Sequence, residues 1–175
     1  IFQMAIAFLT DTLSPSIPGS CVMKRILLAT AALAIVTGAS VAQEDVPFAM
    51  QIDARQGIMD YRALQMGVLG PMVKGEVEYN AEAAQKAADA LLAASTIDTS
   101  MLWPQGSDSD AVASSGALPA LWAEGSDAGA KGQAMAAAAT ALQAAAGGGL
   151  DALKAAFGPV GGACGDCHKA YRKPN

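Results

Sequence analysis

The chain has 175 residues, with 11 Lys+Arg against 16 Asp+Glu and a formal net charge of -5. That balance excludes the basic footprint by which a nucleic-acid-binding domain neutralises phosphates. Aromatic residues make up only 5% of it and alanine is abundant, which disfavours strands and favours helices.

In chain order, residues 1–22, IFQMAIAFLTDTLSPSIPGSCV, show no sustained helical or strand period and read as an upstream extension outside the folded protein. Residues 23–42 follow the order of a secretory signal peptide. Met23 precedes the basic pair Lys24 and Arg25, an apolar run follows, and Ser40-Val41-Ala42 supplies a small-x-small cleavage site. A membrane-spanning helix needs about 20 apolar residues, whereas Thr37 and Gly38 interrupt this run early. Cleavage is expected after Ala42, with export to the periplasm and no membrane association afterwards. It removes Cys21, two basic residues and one acidic residue. Residues 43–175 remain, a single-domain length that is acidic and holds two cysteines.

Four segments of this remainder carry helix signals. In the first, over 46–73, Ile52, Met59, Met66, Leu69 and Val73 recur at helical spacing, and Lys74-Gly75 supplies a basic last turn and a stop. Pro71 is expected to bend its end. The second opens on Asn80 as N-cap and runs to Ser95, with Ala84, Ala87, Ala88, Leu91 and Leu92 as its apolar face. Residues 96–118 are rich in Gly, Ser, Asp and Pro and read as a long crossover loop. Pro119 opens a third segment, interrupted at Gly125 and restarted with Ser126 as N-cap, that continues to Ala146 before Gly147-Gly148-Gly149. The fourth, over 150–172, contains Gly158-Pro159, expected to break or kink it. Four amphipathic segments joined by turns read as an all-α, antiparallel four-helix bundle. Its many alanines either pack the helices closely or leave room for a large flat cofactor.

The chemistry concentrates near the C-terminus, in GGACGDCHKAYRKPN. On a helix, positions i, i+3 and i+4 share a face, so Cys164, Cys167 and the sole histidine, His168, project together. Cys-x-x-Cys-His is the spacing of covalent haem c attachment, two thiols on two vinyl groups and an imidazole on the iron. A structural zinc site wants four ligands, and residues 43–175 offer no fourth Cys or His. A thiol-disulfide oxidoreductase normally sets its cysteine pair in a βαβ context. A plain disulfide remains open and gives the histidine no role. An iron ligand opposite His168 has to come from upstream, where Met50, Met59, Met66, Met72, Met101 and Met135 are available. Most of these are core filler. Met59 stands out because Arg55, one turn earlier, is placed to hold a haem propionate.

Through RQGIM, VKGEVEYNA, LWPQGSD, LPALW and DALKAAFGPVGGACGDCHKAYR, residues 43–172 resemble the cytochromes c′, the class II c-type cytochromes. The resemblance implies a four-helix bundle enclosing one covalent haem c, with Cys164 and Cys167 as thioether anchors and His168 as axial iron ligand. It places Arg55, Gln56 and Asp108 near the propionates, Arg172 on the proximal side, and Met59 over the distal face without binding iron. It further implies a homodimer with no enzymatic constellation, which exchanges electrons with periplasmic redox partner proteins. At a five-coordinate iron it binds small gases, nitric oxide and carbon monoxide, which an apolar distal wall favours over oxygen or anions. Two alternatives stay open: a low-spin electron carrier in which Met59 is the sixth ligand, and, more distantly, the thiol-disulfide oxidoreductase.

Overall fold

The computed structural model describes residues 46–174. The expected extension and signal peptide lie outside the described residues. Among the described residues four helices form the framework: α1 (Ala49–Lys74), α2 (Ala81–Thr96), α3 (Ala128–Ala145) and α4 (Leu150–Tyr171). Each packs on its neighbour in sequence, and α1 closes against α4, forming an antiparallel bundle. Among the described residues no helix is long and apolar enough to cross a membrane.

Local chemistry explains the boundaries. The Asn80 side chain accepts the Ala83 N–H at 2.9 Å and so satisfies one of the unpaired donors that open α2. Gly75, at φ 75°, closes α1 by donating to Met72 O while Glu76 N donates to Pro71 O. Pro71 is accommodated inside the last turn of α1.

Three expectations are corrected. Pro119 does not begin the third helix but heads a separate 3-10 turn, Pro119–Trp122, and Gly125 at φ 79° turns the chain before α3. Asp127, one residue after Ser126, holds the N-cap position, although the Ser126 hydroxyl still accepts the Ala128 N–H at 3.3 Å. Gly158-Pro159 breaks nothing, because α4 is continuous from Leu150 to Tyr171. Proline deprives the carbonyl four residues back of its partner. Here Ala155 and Pro159 are both exposed on α4, so the freed carbonyl is within reach of solvent.

The core is a column of Leu69, Leu91, Leu142, Leu153 and Val160, all fully buried, with Ala84, Ala88 and Ala139 between them. Each large aliphatic side chain contributes about 1.5–3 kcal/mol through burial. Tyr79 pins the α3–α4 turn by donating to Ala146 O at 2.8 Å and accepting from Gly149 N at 3.1 Å. At the other end, Ala117 pairs with Arg172, and Leu118 N donates to Tyr171 O, which binds the long loop to the end of α4.

Candidate functional site

Cys164, Cys167 and His168 occupy the last turns of α4, all half-buried, and both thiols are free. The Cys164 Sγ lies 3.8 Å from Met135 Sδ on α3, so this turn faces the bundle interior. Burial pushes both thiols above their ordinary range, and Arg62 opposes it at Cys164. Lys131 and Arg62 pull in the same opposing direction at Cys167. The His168 imidazole is pushed below its ordinary value by burial, then by Arg172 and Arg62. These shifts favour the uncharged forms, imidazole and thiol.

Sequence reasoning missed Arg62. Its Nη2 and Nε donate to the Ala94 carbonyl of α2 at 2.7 and 3.2 Å, and its Nη1 donates to Met59 Sδ at 3.5 Å. The wall beside Met59, expected from the family resemblance to be apolar, therefore includes a guanidinium. The available signal was spacing: Arg62 falls three residues after Met59 and four before Met66, on the side of α1 that carries sulfur.

Arg55 and Gln56, on α1, bond instead to the long loop that contains Asp108. Arg55 is 4% exposed. It donates through Nη1 to Leu102 O at 3.1 Å and Ser107 Oγ at 2.8 Å, and through Nη2 to Ser107 O at 2.5 Å and Ser115 Oγ at 2.7 Å. Its guanidinium carbon also lies 4.7 Å from the Trp103 ring centre and 5.9 Å from that of Trp122. Gln56 Nε2 donates to Ser114 O at 2.8 Å, and the Asp108 carboxylate accepts the N–H groups of Asp110 and Ala111. Arg172, by contrast, stays near His168, donating its N–H to the His168 carbonyl at 3.0 Å.

This donor set fits a haem attached through thioethers. Two unpaired thiols and a neutral imidazole share one helical face, and the small residues Ala163 and Gly165 flank Cys164. The set does not fit a metal cage, since among the described residues no group of three or more His, Cys, Asp or Glu side chains is placed to hold an ion.

A family model described as Cytochrome C' matches residues 50–172. The cytochrome c′ of Cereibacter sphaeroides is 38% identical over 150 residues, which span 86% of this chain and 98% of that one. A solved cytochrome c′ from Rhodobacter sphaeroides is similar with a TM-score of 0.71 at 38% identity, covering 73% of this chain and 98% of its own. The nitric oxide complex of a cytochrome c′ variant from Alcaligenes xylosoxidans is similar with a TM-score of 0.62 at 32% identity, covering 71% and 94%. Relatives of this kind carry covalent haem c, and the Cys164, Cys167 and His168 run fits its attachment. On its bundle, its C-terminal haem motif and its match over most of its length, this chain belongs to the cytochrome c′ family.

Proposed function

We propose that this chain is a periplasmic haem protein that exchanges electrons with redox partner proteins and binds nitric oxide and carbon monoxide at a five-coordinate iron. The observation that carries the reading is the turn of α4 on which two free thiols and the sole imidazole share one face. Cys164 and Cys167 would hold the cofactor and His168 would present its ring nitrogen to the metal. Haem c, when bound, supplies the iron whose change of oxidation state and open position serve both tasks. Burial, and after it Arg172, disfavours protonation of the His168 ring, which keeps a ring nitrogen available as a ligand. Met59 would face the cofactor from α1, and Arg55 with Gln56 ties down the long loop, which contains Asp108 and would border the propionates. The nitric oxide complex of a relative supports the choice of gas.

The thiol-disulfide alternative loses ground on the burial of the same two thiols. A redox cysteine needs a lowered pKa so that thiolate forms, and burial pushes both of these the other way.

The reading includes a homodimer. Met50, Ala54, Gly57, Tyr61, Leu64 and Val68 are all exposed and recur along α1 at alternating spacings of four and three. That is the repeat of a coiled-coil seam. An apolar groove beside it, between α1 and α2, is lined by Ala54, Gly57, Ile58, Tyr61, Ala93 and Ile97.

One preparation tests these points. Exported protein is expected to start after Ala42, to keep its haem through acidified organic solvent, to sediment as a dimer, and to bind carbon monoxide when reduced. Release of the haem into the solvent sinks the thioether assignment, and a colourless protein sinks the whole reading.

A further inference from the structure

Arg62 belongs to none of the roles above, yet its position is fixed from two sides. The Ala94 carbonyl that takes two of its N–H groups sits in the last turn of α2, where carbonyls have no partner further along their own helix. A cation there is favoured by the negative end of the helix as well. The anchor thus comes from a second helix and does not move with the Met59 side chain.

The remaining contact, Nη1 to Met59 Sδ, draws the thioether toward α2 and engages its lone-pair density. A thioether ligates iron through that same density. Arg62 also stands within electrostatic reach of Cys164, Cys167 and His168, which puts this competition beside the haem-attachment turn.

We propose that Arg62 is a positioning residue that withholds the Met59 sulfur from the haem iron and so keeps the sixth position open. The proposal rests on the reading that haem is anchored at Cys164 and Cys167. A hydrogen bond from a charged donor is strong enough to move a two-state balance by about tenfold or more. That scale suits a weak axial thioether.

The test compares Arg62→Leu and Arg62→Lys with the wild type, all as haem-loaded protein, by absorption spectroscopy and by the rate of carbon monoxide binding to the reduced form. Leucine removes the donor and keeps apolar bulk. The ratio of methionine-ligated to open protein is expected to rise about tenfold, with a methionine-to-iron charge-transfer band and slower carbon monoxide binding. Lysine, a point charge without the planar fork, cannot serve Ala94 O and Met59 Sδ as Arg62 does. It is expected to shift the balance in the same direction by less, and it carries the comparison if the leucine variant fails to fold. Adding Met59→Ala to Arg62→Leu is expected to abolish the band.

An unchanged spin state in both Arg62 variants overturns the proposal. So does a band already at full strength in the wild type, or a low-spin spectrum that survives Met59→Ala. Haem content, measured first, separates the two levels: wild-type protein without covalent haem overturns the functional reading and the proposal with it. Loaded protein with an indifferent Arg62 overturns the proposal alone.

Discussion

Arg55 and Arg62 stand seven residues apart on α1, two turns along one side of the same helix, and their surroundings differ in kind. Around Arg55 the loop has folded inward: two serines, two backbone carbonyls and two indole rings converge on the guanidinium. Arg62 is only half-buried and reaches one carbonyl and one thioether. The difference teaches that a cation's role is set by how many acceptors the rest of the chain commits to it. A fully met guanidinium is a structural tie, whereas one met by a soft, displaceable sulfur leaves its neighbour a second arrangement.

The largest expected effect breaks the Arg62 side of this comparison. Replacing Cys164 and Cys167 together by Ser removes both proposed thioether anchors, and mass spectrometry of the purified chain is expected to show no covalent haem. Stability falls as well, because a cofactor held only by the native state stabilises it. Trp103 and Trp122, the only two tryptophans, both border Arg55, so their emission reports that socket separately. A blue-shifted emission that survives in the double variant keeps the two regions distinct; emission typical of water-exposed indole erases the distinction.

Breaking the other side gives the next effect. Arg55→Ala leaves the Ser107 and Ser115 hydroxyls and the Ser107 carbonyl without their shared donor in a buried site. The Ser115 hydroxyl still donates to Ser107 O and the Ser107 hydroxyl to Pro104 O, so the loss is that of the guanidinium's own bonds and packing, about 3 kcal/mol in all. Denaturant midpoints are expected to fall accordingly while haem attachment is retained. A change well under 1 kcal/mol, about the size of an ordinary surface substitution, removes the case for a tie.

What the sequence made legible follows from how local each signal is. Asn80 and Gly75 mark helix ends through bonds to residues within a few positions, and both were read correctly. Cys164, Cys167 and His168 share one turn, so their spacing alone fixes their common direction. Pro159 misled because the penalty of an interior proline depends on whether the freed carbonyl faces water, a tertiary fact. The loop was legible as a loop, but nothing local announces that Ser107 and Ser115 meet Arg55 from more than 50 residues away. Arg62 was hidden for the complementary reason, since a charged residue on an amphipathic helix ordinarily reads as part of the solvated face, and its acceptor lies on another helix.

The smallest expected effect sharpens the comparison on the haem-attachment side. Asp127 opens α3 and ties it to the end of α4: its Oδ1 accepts the Tyr171 hydroxyl at 2.6 Å and its Oδ2 lies 3.2 Å from Lys131 Nζ. Tyr171, then Lys131, hold its carboxyl below the ordinary value of 3.8. A depressed acid stabilises the fold where it is ionised in both states, so the contribution is complete above 3.8 and is lost as pH falls through the lower, folded value. Asp127→Asn keeps an oxygen for Tyr171 and removes the charge. Because the carboxylate is exposed and screened, its contribution is small. The expected outcome is a slightly lower melting temperature for the variant near neutral pH, with the gap to wild type closing as pH drops below 3.8. A gap of constant size across that range shows that the oxygen's geometry matters and the charge does not. The pH profile therefore distinguishes a charged tie at this end of the bundle from the buried, pH-indifferent tie that Arg55 makes at the loop.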